Sequence, residues 1–169
     1  MKNHYSMLAA YNGWANERVY TEAARLTREQ YDRDTGTFFK SMNGTLNHIL
    51  VADRIWMKRF TGEGEHPNSL DATLHGDLAS LRIARKAEDR RIIRWLEHLE
   101  PEELLGKITF TTITSPQLTT QSLAPTLTHF FNHQTHHRGQ AHAILSILGR
   151  EPPSLDLVLF LRNEGKEFN

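Results

Sequence analysis

Five of the ten histidines in this 169-residue chain fall between positions 129 and 142. Neutral imidazole is a common ligand for transition metals, so the spacing inside the cluster is the first thing to test. His129, His133, His136, His137 and His142 share one helical stretch and offer two pairs four residues apart, 129/133 and 133/137. Residues four apart stand one turn from each other on the same helix face, where two rings can grip one ion. The apolar stripe formed by Leu127, Phe130, Ala141, Ile144, Leu145 and Leu148 chooses between the pairs. At about 100° per residue, His137 falls inside the stripe and His133 at its edge beside Ile144. His129 and His136 lie further round, toward Ile147. The inward pair is therefore His133 and His137. The plainer alternative is a set of exposed or hydrogen-bonded histidines on an amphipathic helix. His142, on another face, reads as a solvated residue.

Two ligands rarely bind tightly, so a third must come from another helix. His48, within Leu46-Asn47-His48-Ile49-Leu50-Val51-Ala52-Asp53, is the best candidate because it sits among apolar residues in mid-helix. It lies off the main stripe of its helix, on a second face with Thr45, Ala52 and Ile55, so it turns inward only if that helix is buried on two sides. Three histidines with no fourth protein ligand leave a position for water or substrate, the pattern of catalytic zinc. Imidazole ligands suit Zn, Ni, Fe or Cu, and the sequence does not choose among them. Gln134 stands where the zinc-protease motif requires its general-base Glu, so that chemistry is excluded. The metal would act as a Lewis acid on water or on a thiol. The chain has no cysteine, so any such thiol is a low-molecular-weight cofactor.

Four long stretches carry the helical periodicity that must bring these residues together. They run from about 3 to 26, from about 39 to 60, from near Asp71 to Leu99, and from Ala124-Pro125 to Gly149. Gly62 and Gly149 are natural stops, Pro101 prevents continuation of the third helix, and Pro125 suits a first turn. Between the third and fourth helices, residues 107–114 are β-branched and are followed by Ser115-Pro116, which predicts a short hairpin or extended crossover. Leu155–Leu161 predicts a short C-terminal helix. The fold class is all-α, a four-helix bundle forming a single domain over 1–169.

Some residues interrupt this pattern. Asp53 sits at the centre of the second helix's apolar stripe, and Arg85 and Glu88 interrupt that of the third. A core-facing charge must be paired or placed in a cavity. The structural reading is an internal ion-pair network linking helices. The functional one makes Asp53 or Glu88 a general base facing the metal. Tyr11, Trp14 and Trp56 read as core and cavity walls. Asn47 and Asn132 precede candidate ligand positions but point about a quarter-turn away, so they read as capping, interface or surface groups. Arg138 and Gln140 are suited to hydrogen bonds across the bundle or at a subunit contact.

Lys+Arg and Asp+Glu both number 20, which removes the basic footprint of a nucleic-acid binder. No apolar run is long enough to cross a bilayer, and the polar, aromatic N-terminus lacks a signal-peptide core. A cytoplasmic location is the default expectation.

The segment Asn132-His133-Gln134-Thr135-His136-His137-Arg138-Gly139-Gln140 resembles the histidine signature of the DinB-like (DinB/YfiT) family of metal-dependent enzymes. Tyr11-Asn12-Gly13-Trp14-Ala15-Asn16 is similar to that family's first-helix pattern, and Leu46–Asp53 to its second-helix histidine segment. Leu148-Gly149-Arg150-Glu151-Pro152-Pro153 with Asp156-Leu157 resembles the exit from its last bundle helix. The resemblance implies a four-helix bundle, a homodimer, and His48, His133 and His137 as ligands of one metal. It also implies relatives acting as thiol S-transferases on bacillithiol or mycothiol, with a small-molecule substrate. Two function classes follow. One is a metal-dependent hydrolase or thiol transferase; the other is a non-catalytic, metal-stapled stress-response or small-molecule binding module.

Overall fold

A computed structural model describes residues 1–114 and 116–168. Ser115, placed by its sequence beyond the predicted β segment, lies outside the described residues. Six helices and two strands follow in order: α1 (Lys2–Ala23), α2 (Arg28–Asp32), α3 (Met42–Thr61), α4 (Leu78–His98), β1 (Lys107–Thr111), β2 (Leu118–Ser122), α5 (Leu123–Ile147) and α6 (Leu157–Asn163). The long helices α1, α3, α4 and α5 form the bundle. Each of α1 and α3 packs against both α4 and α5.

Local chemistry sets the ends of the site-bearing helices. Ser41 caps α3, its hydroxyl accepting from the Gly44 amide at 3.1 Å, and Gly62 ends it with φ of 75°. Only a glycine fits at 44, because a Cβ there would sit 2.1 Å from the Phe39 carbonyl oxygen. That absence of a side chain lets the preceding turn fold tightly over the start of α3. At the far end of α5, the Arg150 amide reaches the Leu145 carbonyl and the Gly149 amide that of Ser146, with Gly149 at φ 72°. This is a Schellman motif, which satisfies carbonyls the helix would otherwise leave open.

The apolar core falls into clusters. One gathers Val19, Leu46, Leu50, Leu81, Ile144 and Leu145; another gathers Met57, Ile92, Leu96, Leu127 and Phe130. Fully burying each such side chain is worth about 2–3 kcal/mol. Helix α3 is buried on two sides, with Thr45, His48, Ala52 and Ile55 as enclosed as Leu46, Leu50 and Met57. This is the condition that His48 required.

The structure corrects several boundaries. The third bundle helix begins at Leu78, not Asp71. Asp77 caps it by accepting from the Ser80 amide at 2.9 Å, and residues 71–76 are held as a loop. Leu74, expected on that helix, packs against the core from the loop. The first helix stops at Ala23, short of Leu26. A five-residue helix, α2, follows it, closed by a Thr27/Gln30 capping box that the periodicity did not reveal. The β-branched segment is one strand of an antiparallel hairpin, with Lys107 opposite Ser122 and Thr111 opposite Leu118.

Candidate metal centre

His48 comes from the middle of α3, while His133 and His137 come from successive turns of α5. Their Nε2 atoms converge. His137 Nε2 lies 3.1 Å from His48 Nε2 and 3.1 Å from His133 Nε2. One ligand atom from each of the three falls within 4.8 Å of the others. Nitrogens held 2.0–2.1 Å from a tetrahedral ion would be about 3.3 Å apart.

Hydrogen bonding at the opposite ring atoms fixes which nitrogens are available. His48 Nδ1 is 2.7 Å from the Leu70 carbonyl oxygen, which can only accept, so Nδ1 carries the proton. His137 Nδ1 donates to Gln140 Oε1 at 2.8 Å. The Gln140 amide nitrogen faces His136 Nε2 at 3.4 Å, consistent with the same amide orientation. With both Nδ1 atoms protonated, the Nε2 atoms of His48 and His137 point lone pairs at one another. Two neutral imidazoles cannot hydrogen-bond in this way. Only a cation between them makes the approach favourable.

A proton is poorly suited to that task. Burial pushes the His48 imidazole down to about 4, against the pull of the Leu70 carbonyl, and His137 adds to the fall. Burial likewise takes His133 down to about 3, assisted by its histidine neighbours, and lowers His137. Rings that stay neutral at neutral pH with their Nε2 atoms converging could hold a metal ion. The Nδ1 protons of His48 and His137 are each given to a carbonyl oxygen, the usual support behind ligating histidines.

The surroundings hold the ligands in place. Phe39 stacks on His48 with centroids 3.8 Å apart and meets His137 edge-on at 5.6 Å. Asn47 fastens the loop that supplies Leu70. Its Oδ1 accepts from the amides of Leu74 and His75 at 2.8 and 3.0 Å, and its Nδ2 donates to the His75 carbonyl at 3.0 Å. Asn47 thus takes a capping role, turned from the histidine cluster as its helix position predicts. Asn132 is exposed.

Beside His48 and His133 a cavity of about 870 Å³ opens between α3, α5 and the hairpin. Ile55 and Trp56 line it from α3, Phe110 from β1, and Thr126 and His129 from α5. Trp56 therefore forms the wall expected of it. Tyr11 and Trp14 do not: they face the other side of α1, where the chain after α5 covers them. The Tyr11 hydroxyl donates to the Leu155 carbonyl at 2.6 Å, Trp14 Nε1 donates to Glu164 at 2.8 Å, and both rings pack on Phe160. An aromatic stripe shows that a helix face is covered, not by what.

Asp53 and Glu88 do not line the cavity either. Asp53 receives a hydrogen bond from Arg85 Nη1, and Arg85 Nη2 stands 2.9 Å from Asp89, which accepts from Asn16 at 3.0 Å. Arg138 donates to Asn12 from α5. Glu88 pairs with Arg91 at 2.9 Å, and Arg91 reaches Thr61 and the Glu63 carbonyl beyond α3. Burial pushes the Asp53 carboxyl up to about 7, against the pull of Arg85. For Arg85, burial opposes the charge, but Asp89 and Asp53 together hold its pKa above the ordinary value. The asymmetry has a simple cause, since one guanidinium serves two carboxylates.

The sequence reading passed over Phe39, placed only at a helix start, and Leu70. Phe39 acts from a turn, where periodicity carries no information. Gln140 was readable as a hydrogen-bonding group, and its spacing of three from His137 pointed to its partner.

The fold and centre define a class: helical bundles carrying three inward histidines next to an open cavity. The DinB family model matches residues 1–167, and the chain belongs to the DinB family. It is 26% identical over 157 residues to the Protein DinB of Bacillus subtilis (strain 168), covering 91% of each chain. No helix among the described residues is long and apolar enough to cross a membrane.

Proposed function

We propose that this protein is a metal-dependent enzyme in which His48, His133 and His137 hold one divalent transition metal, Zn or Ni, for chemistry on a small molecule. The convergence of three Nε2 atoms with the Nδ1 protons of His48 and His137 already committed elsewhere carries this reading. A divalent ion bound there supplies Lewis acidity that makes water, or the thiol of a low-molecular-weight cofactor, nucleophilic near neutral pH. The reaction class is hydrolysis or thiol S-transfer.

The chain's own residues divide the remaining work. Leu70 and Gln140 keep the rings of His48 and His137 in the ligating tautomer. Phe39 covers the His48 ring and screens that side of the centre from solvent. No Asp, Glu or Cys joins the three histidines in the ligand group found among the described residues. The adjoining cavity supports an open coordination position more than a closed structural staple. A homodimer, as the family resemblance implies, completes the proposal and is tested by sedimentation equilibrium.

Metal analysis is the first experiment. The wild-type protein should carry one equivalent of Zn or Ni, and His133→Ala should lose it. Turnover is then screened with activated esters alone, and with electrophiles plus several thiols. Absence of stoichiometric metal after growth and refolding with both ions would remove the basis of the proposal. Metal binding without turnover, with a large loss of melting temperature on chelation, would instead favour the non-catalytic staple.

A further inference from the structure

The cavity wall carries cations with no anion to match. Arg59 and Lys107 both line it, and no Asp or Glu is among its described lining residues. Neither cation makes an ion pair among the described residues. The Arg59 guanidinium is held firmly. Its Cζ lies 4.5 Å from the Trp56 ring centroid and 4.4 Å from that of Phe110, and Nη2 donates to the Thr111 carbonyl at 3.2 Å. Its Nε is buried without a hydrogen-bond partner. A guanidinium placed between aromatic faces is partly compensated by the rings, but a desolvated cation still favours an anion within reach. The planar fork of arginine suits carboxylate and phosphate oxygens.

The rest of the wall describes the remainder of the occupant. Ile55, Trp56 and Phe110 offer apolar and aromatic surface, and the volume falls within the usual range for small-molecule sites. We propose that Arg59, with Lys107 as a second cation on the same wall, holds the anionic end of an amphipathic small molecule whose body lies along Trp56 and Phe110. The ligand class is an organic acid bearing a carboxylate or phosphate. This inference rests on the reading of the histidine centre as the reacting end of the cavity, and it adds a specificity-determining residue to that site.

Calorimetric titration with benzoate, phenyl phosphate and the neutral control benzyl alcohol tests it, on both metal-loaded and chelated protein. Both forms of the wild type should bind at least one of the acids about ten-fold or more tightly than the alcohol. The tighter of the two acids identifies the oxyanion. Arg59→Gln should weaken acid binding about ten-fold or more while leaving alcohol binding and metal content unchanged. Lys107→Gln, on an exposed strand position, should weaken it by a few-fold. Should Arg59→Gln fail to fold, Arg59→Lys keeps the charge without the fork and should show a partial loss confined to the acids. Equal binding of acids and alcohol by the wild type overturns the inference, as does acid binding that ignores both Arg59 variants. Acid binding that vanishes on chelation but is indifferent to Arg59 assigns the anion to the metal; it defeats this inference while leaving the histidine centre intact. Loss of metal binding with Arg59-dependent acid binding retained fails the metal reading alone.

Discussion

Replacing Arg85 by Met separates the internal charge network from the metal chemistry. Arg85 is 1% exposed, and its two terminal nitrogens serve Asp53 on α3 and Asp89 on α4. Methionine fills much of the same space but leaves both carboxylates without a counter-cation. Removing one partner of a buried pair costs about 3–5 kcal/mol. A domain of this size has about 5–15 kcal/mol of stability in total, so the loss is a large share of it. Protonation limits the damage, which gives the effect a pH signature. Asp53 in the folded state titrates near 7, against 3.8 for the free side chain. Between those values the folded state retains a proton that the unfolded state has released, so this contribution is largest at low pH and declines as pH rises toward 7. Without Arg85 the window extends above 7, because nothing opposes the burial of the charge. Both proteins lose this contribution alike below about 7, so the gap between Arg85→Met and wild type should widen from about pH 7 to about pH 8.5, by up to ~1.4 kcal/mol per pH unit. Contributions from the histidines are common to both proteins and cancel in the difference. Urea unfolding followed by circular dichroism at the two pH values measures it. A variant within about 1 kcal/mol of wild type at both, or one more damaged at the lower pH, would refute the reasoning.

Other expectations follow from the site. Asn47→Ala should cost about 2 kcal/mol in urea unfolding, because it releases two backbone amides of the 74–75 loop, and it should weaken metal binding about ten-fold through Leu70. Gln140→Leu should weaken metal binding by about ten-fold in a competitive chelator titration while barely moving the urea midpoint, since it frees the His137 Nδ1 proton and otherwise loses only the long, exposed contact to His136. In metal-free protein, His48 and His133 titrate near 4 and 3 when folded, against 6.5 unfolded. Their stabilisation is therefore complete above about 6.5 and falls with pH below it, by up to ~1.4 kcal/mol per pH unit for His48 and less for the solvent-reached His133. His48→Gln should reduce that slope in urea titrations of the chelated protein; an unchanged slope would place its origin elsewhere.

The bundle and the inward pair His133 and His137 were readable from the sequence because both express helical periodicity, whereas His48, off the main stripe of its helix, was not fixed by it. His133 and His137 are four residues apart on the face turned inward, and that spacing survives any error at the helix ends. The start of α4 was not readable in the same way. Leu74 and Leu78 share an apolar register whether or not the chain between them is helical. Asp77 as a cap, and Asn47 as the clamp on the loop before it, decided the matter through hydrogen bonds that hydropathy does not record. Tyr11 and Trp14 belong to the core, and their reading as cavity walls fails for a related reason. Their helix has two covered faces, and only the path of the chain after Gly149 determines that α6, not the cavity, covers theirs. The cavity itself depends on the hairpin folding back over α3, a tertiary event with no local signature beyond its β-branched strand.

Helix α3 explains why a three-histidine cluster and an ion-pair network coexist in one small core. His48 and Asp53 are five residues apart, which places them on well-separated faces of the same helix. Asp53 faces Arg85 of α4, and His48 faces His137 of α5. A helix buried on both sides cannot turn either polar group to water, so each must be satisfied from the neighbouring helix. On the α4 side arginine supplies a full positive charge. On the α5 side the facing groups are the imidazoles of His133 and His137, and the three rings meet at their Nε2 atoms. The two sides differ in chemistry but pose the same requirement, and on the second a bound cation would meet it.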